Sequence, residues 1–174
     1  ESRGLGDVYK RQVMLKGTIQ KKFGGIFMRA VVTRVKEAAV TIDGRSNGQI
    51  GQGFLVLLGV GPEDTEETAR KLAEKICRLR VFEDDGGKMN RSLEQVGGAL
   101  LVVSQFTLYA DLKSRRPGFS HAAGPVLAKA LYEHFLACCA AEGFPPQHGE
   151  FGADMLVESV NDGPVTLLFD TNAL

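Results

Sequence analysis

Polar side chains cluster at the end of a strongly apolar segment of the chain. Leu100–Val103 form an unbroken apolar run, which is typical of a buried strand. The four residues that follow are Ser104, Gln105, Phe106 and Thr107. Two hydroxyls and an amide can orient a ligand, and an aromatic ring can stack on a base. The same residues are compatible with a purely structural strand end, because Ser and Thr hydroxyls often bond to nearby backbone groups.

A second unusual segment is Asn161–Pro164, between residues 155–160 and 165–170, which predict two strands. A hairpin normally has Asn-Gly or Asp-Gly here, followed by a residue whose N–H joins the ladder, and Pro164 has no N–H. Gly163 permits a close backbone approach, and a proline lowers the cost of a cis peptide bond to about 0.5–1 kcal/mol. The dipeptide therefore predicts a rigid corner.

Residue groups that serve other kinds of catalysis are missing from the sequence. His121, His134 and His148 have no zinc-binding spacing, and the chain contains no nucleophile elbow and no P-loop. Asp84 and Asp85 lack the remaining ligands of a calcium loop and predict a solvated turn. The sequence thus predicts neither a metal nor a cofactor. A small-molecule esterase is disfavoured, because it would need a base or a metal.

Charge limits the partners of the protein. Residues 28–174 carry 15 basic and 19 acidic side chains, a net charge of −4. Such a body lacks the general electrostatic footprint of a protein that binds long nucleic acid, so a nucleic-acid partner would be held locally. Lys113, Arg115 and Arg116 closely follow the polar strand end. They could contact a phosphate or form a solvated loop.

Strand-like patterning begins at Met28, so residues 1–27 are expected to be a non-native or disordered extension and residues 28–174 a single domain. The three cysteines have neither metal-ligand nor disulfide-framework spacing, which predicts reduced thiols and a cytoplasmic location. No segment approaches the roughly 18 apolar residues of a membrane span.

The predicted elements are those of an α+β fold. Strands are predicted at residues 30–35, 38–42, 54–60, within 81–90, at 99–108, and at the two segments beside Asn161–Pro164. One helix is expected to begin at Asp64 or Thr65 and a second to span 124–142. Their predicted inward residues are Ala69, Leu72, Ile76 and Leu79, and Leu127, Leu131, Phe135 and Cys138. Because strands and helices do not strictly alternate, we expect a mixed, mainly antiparallel sheet or roll with two principal helices.

Several segments resemble the D-aminoacyl-tRNA deacylase family. They are VVSQFTLYAD and NDGPVT, in this order, together with RVKEAAVTIDG, GKMNRSL and FGADMLV, and the resemblance runs from Met28 to about Asp170. It implies an α+β homodimer whose active site lies at the subunit interface. It also implies hydrolysis of the ester bond of D-aminoacyl-tRNA, and of glycyl-tRNA mischarged on tRNA(Ala), as chiral proofreading of translation.

The resemblance also implies roles for individual residues. The floor that holds the 3′-terminal adenosine and the ester would consist of Ser104, Gln105, Phe106 and Thr107. Gly163 and Pro164 of the partner subunit would form a wall that distinguishes the D from the L configuration of the α-carbon. Phe151 and Met155, from the FGADM segment, would lie near the adenosine.

An ester beside a ribose 2′-hydroxyl is already activated, so a positioned water and oxyanion donors are sufficient for its hydrolysis. The backbone amides of Phe106 and Thr107, helped by the substrate's 2′-hydroxyl, are the preferred donors; a covalent mechanism through Thr107 is the second choice. A module that binds the tRNA 3′ end without hydrolysis is the alternative function. Release of amino acid from aminoacyl-tRNA would separate the two.

Overall fold

The structure, a computed structural model, describes residues 27–173, so residues 1–26 of the predicted extension lie outside the described part. The strands are β1 (Arg29–Ile42), β2 (Arg45–Ile50), β3 (Gly53–Gly59), β4 (Phe82–Glu83), β5 (Met89–Arg91), β6 (Ala99–Ser104), β7 (Gln147–His148) and β8 (Leu156–Asp170). The helices are α1 (Glu66–Cys77), α2 (Leu93–Val96) and α3 (Pro125–Ala141), with 3-10 turns at Phe106–Tyr109 and Thr171–Ala173.

Six strands form one mixed sheet in the order β2-β1-β3-β6-β7, and β8 pairs with β1. β1 is antiparallel to β2, β3 and β8, whereas β6 is parallel to both β3 and β7. β4 and β5 form a separate hairpin. The predicted α+β fold with a mixed, mainly antiparallel sheet is confirmed.

The sheet buries apolar side chains on both faces. Alternate residues of β3 belong to different clusters: Phe54 and Val56 pack with α1 and α3, whereas Leu55 packs on the opposite face with residues of β1, β2 and β6. This second cluster includes Val40 near the end of β1. Residues from both halves of the long β1 therefore contribute to the core.

Helix α1 begins where the sequence predicts. Thr65 is the N-cap and forms a capping box with Thr68, and Asp64 accepts a hydrogen bond from Gly61 N (2.7 Å). The predicted inward residues Ala69, Leu72 and Ile76 are buried, and Leu79, which follows the end of the helix, packs partly buried against the same cluster.

The buried face of helix α3 is rotated relative to the predicted one. Leu131 and Phe135 are buried as expected, and Cys138 packs partly buried against the same cluster, but Leu127 is 37% exposed, so its prediction as an inward residue was wrong. The buried neighbours are instead Ala128, Tyr132 and Cys139. Tyr132 explains the rotation, because its hydroxyl donates to Val102 O of β6 (3.0 Å) and so faces the sheet.

Five of the predicted strands need correction, and two strands, β2 and the short β7, were not predicted. The predicted strands at 30–35 and 38–42 are one continuous strand, β1, and β2 was missed because its sequence, RSNGQI, is polar. The strand predicted at 99–108 ends at Ser104. The two strands predicted around Asn161–Pro164 are a single strand, β8, and both of its halves pair with β1. Within residues 27–173, no helix is long and apolar enough to span a membrane.

Candidate functional site

The polar residues after β6 lie on a 3-10 turn at the carboxyl end of the parallel β3–β6 pair. Gln105 N donates to Leu58 O of β3 (2.7 Å), which is the last ladder bond before the chain leaves the sheet. Leu108 N then donates to Gln105 O (3.3 Å), and Ala110 N to Thr107 O (3.1 Å). The chain therefore changes from strand to turn immediately after Ser104. Ligand sites in sheets with parallel strands commonly lie at such carboxyl ends.

The turn rests against the end of β3, where only glycine leaves enough room. A Cβ at Gly59 would lie 2.8 Å from Cε2 of Tyr109 and 3.1 Å from Gln105 O. Tyr109 is buried, and its hydroxyl lies 3.0 Å from Gly59 O and 2.5 Å from Phe27 O. Burial raises the pKa of Tyr109, so the hydroxyl keeps its proton and remains a donor.

Arg29 of β1 holds the turn from the other side. Its guanidinium carbon lies 5.0 Å from the centroid of the Tyr109 ring, which is a cation–π geometry. Nη1 donates to Leu108 O (3.1 Å), and Nε lies 3.4 Å from a carboxylate oxygen of Asp170. The turn is thus fixed by groups from β1, β3 and β8, which are remote from it in sequence.

Two backbone N–H groups at the start of the turn are open. The first N–H groups of a helical turn have no partner within it, and here these belong to Phe106 and Thr107. No backbone hydrogen bond to another part of residues 27–173 uses them. Adjacent, unpaired donors of this kind are suited to a developing oxyanion.

A cavity of about 610 Å³ adjoins the turn. The structure brings five of the predicted site residues to its walls: Ser104, Gln105, Phe106, Phe151 and Met155. The floor is polar, and much of the remaining wall is aromatic or aliphatic. Such a space can hold an apolar or aromatic group and present polar atoms to one end of it.

Thr107 does not line this cavity. It is exposed beside it, and its Oγ1 accepts a hydrogen bond from Nε2 of Gln105. An amide is not a base, so Gln105 cannot take a proton from the Thr107 hydroxyl.

Sequence reasoning missed another part of the cavity wall, which includes Phe119, Ala122, Ala123 and Pro125. The ring of Phe119 meets the ring of Phe106 edge-on, with 5.2 Å between centroids. The small residues before the Gly-Pro start of α3 were the available signal, since they let a helix end lie close to a ligand.

The Gly163–Pro164 peptide bond is cis, in agreement with the sequence-based expectation. The dipeptide lies within a bulge of β8: Thr33 pairs with Thr166 and Val35 with Asn161, so four residues of β8 lie opposite one residue of β1.

Arg34, the β1 residue opposite the bulge, holds it in place. Its side chain is only 5% exposed; Nε donates to Asp162 O (3.1 Å) and lies 3.4 Å from the Asp162 carboxylate. Nη1 donates to Val81 O (2.5 Å). Gly163 and Pro164 themselves are exposed and do not line the cavity of the same chain. Within residues 27–173, no three His, Cys, Asp or Glu side chains are placed to hold a metal ion.

Comparisons with known proteins agree with one another. The model of a family described as D-Tyr-tRNA(Tyr) deacylase matches residues 31–170. A D-aminoacyl-tRNA deacylase from Lacticaseibacillus casei is 58% identical over 147 residues, 84% of this chain and 99% of that protein. The protein of the same name from Thermosipho africanus is 54% identical over 145 residues, 83% of this chain and 97% of that protein.

Two solved structures are similar in fold. One, described as "c-Myc DNA Unwinding Element Binding Protein", has a TM-score of 0.77 at 41% identity, over 82% of this chain and 97% of that chain. The other, described as a probable eukaryotic D-amino acid tRNA deacylase, has a TM-score of 0.71 at 17% identity, over 82% of this chain and 98% of that chain, and supports the fold alone.

We expect Gly163→Ala to lower the free energy of unfolding by roughly 1–3 kcal/mol. Gly163 has a φ of +129°, and an added Cβ would lie 2.8 Å from Val165 N and 3.1 Å from Nη2 of Arg34. Gly51→Ala is the matched control, because its Cβ would meet nothing within 4 Å. Denaturant unfolding of both variants measures the difference, and equal stabilities would show that the bulge does not require glycine.

Proposed function

The chain belongs to the D-Tyr-tRNA(Tyr) deacylase family, and we propose that the cavity beside the Phe106–Tyr109 turn is where it hydrolyses the ester bond of D-aminoacyl-tRNA, releasing free D-amino acid and tRNA. One observation carries the assignment of the site: the cavity has an aromatic and apolar wall, and two unpaired backbone N–H groups belong to the turn at its floor. A base can thus occupy the cavity while the ester lies at its edge, beside the start of the turn. A cytoplasmic location, where translation takes place, is part of the same proposal.

The cavity suits the 3′-terminal adenosine. The ring of Phe106 is 54% exposed at the mouth and is available for stacking on the adenine. Phe151 and Met155, which are half-buried, supply an apolar surface in the wall. Ser104 and Gln105 then lie beside the sugar and the ester, where a hydroxyl and an amide can orient the reacting carbonyl.

Hydrolysis needs no side-chain nucleophile at this site. Water attacks the ester carbonyl, and the N–H groups of Phe106 and Thr107 stabilise the negative charge that develops on the oxygen. The neighbouring 2′-hydroxyl of the substrate assists departure of the 3′-oxygen. Thr107 is a poor nucleophile here, because its hydroxyl accepts a hydrogen bond from the Gln105 amide, which cannot act as a base.

A homodimer would bring the Gly163–Pro164 corner to the site. Among the described strands β8 pairs only with β1, and its other edge is open. Apolar side chains are exposed along it, including Leu156 at 71%, Val160 at 47% and Leu168 at 73%. A long, exposed apolar edge is a typical protein–protein contact surface.

The position of β8 connects this edge to the cavity. Val157 lines the cavity and is also 39% exposed on β8. A second subunit that covered β8 would therefore also cover the cavity mouth. Gly163 and Pro164 of that subunit would then form a rigid wall that rejects α-carbon substituents of the L-hand. Glycine has no side chain to be rejected, so glycyl-tRNA mischarged on tRNA(Ala) is included among the proposed substrates.

Matched D- and L-tyrosyl-tRNA test this function directly. We expect release of D-tyrosine at a rate at least about 100-fold above that of L-tyrosine, because the wall excludes the L-substituent. Glycyl-tRNA should be hydrolysed as well. Equal rates for the two enantiomers would contradict the proposal that Gly163 and Pro164 exclude the L-substituent. Binding without any release of amino acid would favour a tRNA 3′-end-binding module.

Replacement of Thr107 distinguishes the two mechanisms. If backbone N–H groups stabilise the oxyanion, Thr107→Ala should lower kcat by less than about 10-fold, whereas loss of a nucleophile costs several powers of ten. Thr107→Ser, which keeps a hydroxyl, is the control. Detection of an acyl group on Thr107 by mass spectrometry would establish the covalent mechanism instead.

The β8 edge can be tested by charge. We expect the double variant Val160→Lys/Leu168→Lys to shift the protein from dimer to monomer in sedimentation velocity, and to lose most of its hydrolysis, because buried unpaired charges oppose association. Met89→Lys is the control, since Met89 is also exposed (59%) but lies in the separate β4–β5 hairpin. A wild-type protein that is monomeric and fully active would contradict the proposed interface.

A further inference from the structure

The segment between the Phe106–Tyr109 turn and α3 contains a loop with an ordered backbone. Asp111 and Gly118 exchange two backbone hydrogen bonds, of 2.7 and 3.0 Å, which close its base. Inside the loop, Lys113 N donates to Oδ1 of Asp111 (3.0 Å), and Ser114 Oγ donates to Arg116 O (2.6 Å). These bonds fix the backbone and leave the long side chains pointing outward.

The loop carries unpaired positive charge. Lys113, Arg115 and Arg116 are exposed, and none of their side chains forms an ion pair or hydrogen bond within residues 27–173. Residues 112–132 contain four basic and no acidic side chains, whereas the rest of residues 28–174 contains 11 basic and 19 acidic ones. Positive charge is thus concentrated in residues 112–132, whereas the rest of residues 28–174 has a net negative charge.

This charge lies next to the cavity. Phe119, in the same loop, lines the cavity and contacts the ring of Phe106. Arg116 is three residues from Phe119, so their Cα atoms are at most about 11 Å apart. Lys113 and His121 also line a groove of about 570 Å³ on the other side of the turn, with Arg29 and Tyr109. The loop is therefore within reach of a chain that extends out of the cavity.

We propose that Lys113, Arg115 and Arg116 bind backbone phosphates of the aminoacyl-tRNA next to its 3′-terminal nucleotide. The proposal rests on the proposed function, because an adenosine held in the cavity continues into a polyanionic strand at the mouth. Guanidinium groups suit phosphate oxygens, which they can bind through two hydrogen bonds. The contact is with the backbone, so the loop adds affinity for any tRNA without reading its sequence.

The test uses the triple variant Lys113→Gln/Arg115→Gln/Arg116→Gln and two substrates, D-tyrosyl-tRNA and 3′-O-D-tyrosyl-adenosine, which has no phosphate. With the tRNA at about 0.1 M salt, we expect KM to rise roughly 10- to 100-fold while kcat is retained. The slope of log(kcat/KM) against log[salt] should become shallower by about 2–3, since each phosphate contact contributes about 0.7–0.9. Rates with the adenosine ester should be unchanged.

The control removes the same charge elsewhere, with Lys71→Gln/Lys75→Gln/Lys88→Gln, and should leave KM and the salt slope nearly unchanged. An unchanged KM and slope in the loop variant would overturn the proposal. So would an equal loss on both substrates, which would mean that the loop only shapes the cavity. If duplex DNA competed for the loop as effectively as unlabelled tRNA, the loop would be a binding site for another nucleic acid.

Binding of uncharged tRNA, followed by fluorescence anisotropy across the same salt series, separates this proposal from the proposed function. If the wild-type protein hydrolyses neither substrate, the proposed function fails. The loop proposal still stands or falls on whether the loop variant loses salt-dependent tRNA binding.

Discussion

The pairing of β1 with three other strands is the constraint on which both functional segments depend. β1 pairs with β2, β3 and β8, which is more partners than any other described strand has. Arg29 holds the Phe106–Tyr109 turn, and Arg34 holds the bulge that contains Gly163. Each arginine bonds to backbone carbonyl groups, so it fixes the path of the main chain rather than one side chain.

The positions of these arginines bear on the proposal that two subunits share one site. Arg29 and Arg34 are five residues apart, which is about 17 Å along an antiparallel strand, and an odd separation points them to opposite faces of the sheet. The polar turn and the Gly163–Pro164 corner are thus held apart by the same strand. In the proposed mechanism they meet only when a second subunit supplies the corner, and the open edge of β8 is the surface that would bring it there.

The sequence predicts the elements that depend on neighbouring residues and misses those that depend on contacts with distant parts of the chain. The start of α1 depends on Thr65 and its next turn, and it is confirmed. The strand predicted through Leu108 instead ends at Ser104, because Gly59 and Arg29, at least 46 residues away, accommodate and hold the 3-10 turn. The segment around Gly163 looked like a hairpin corner, because nothing local shows that both of its flanks pair with β1. Burial of Arg34 makes the bulge stable there, and that burial exists only in the folded chain.

A wall made of main chain suits the selection that is proposed for it. A side chain can change rotamer and admit a substituent that it should exclude, whereas Gly163 is confined by Val165 and Arg34 at distances that leave no room for even a methyl group. The same reasoning applies to the floor, where the proposed oxyanion donors are backbone N–H groups of a turn anchored by a buried tyrosine. In this proposal both parts are backbone, so the site would accept amino acids with many different side chains and still distinguish the two configurations of the α-carbon. The proposed selectivity would then depend on how firmly Arg29 and Arg34 hold the two segments, and so on the integrity of β1.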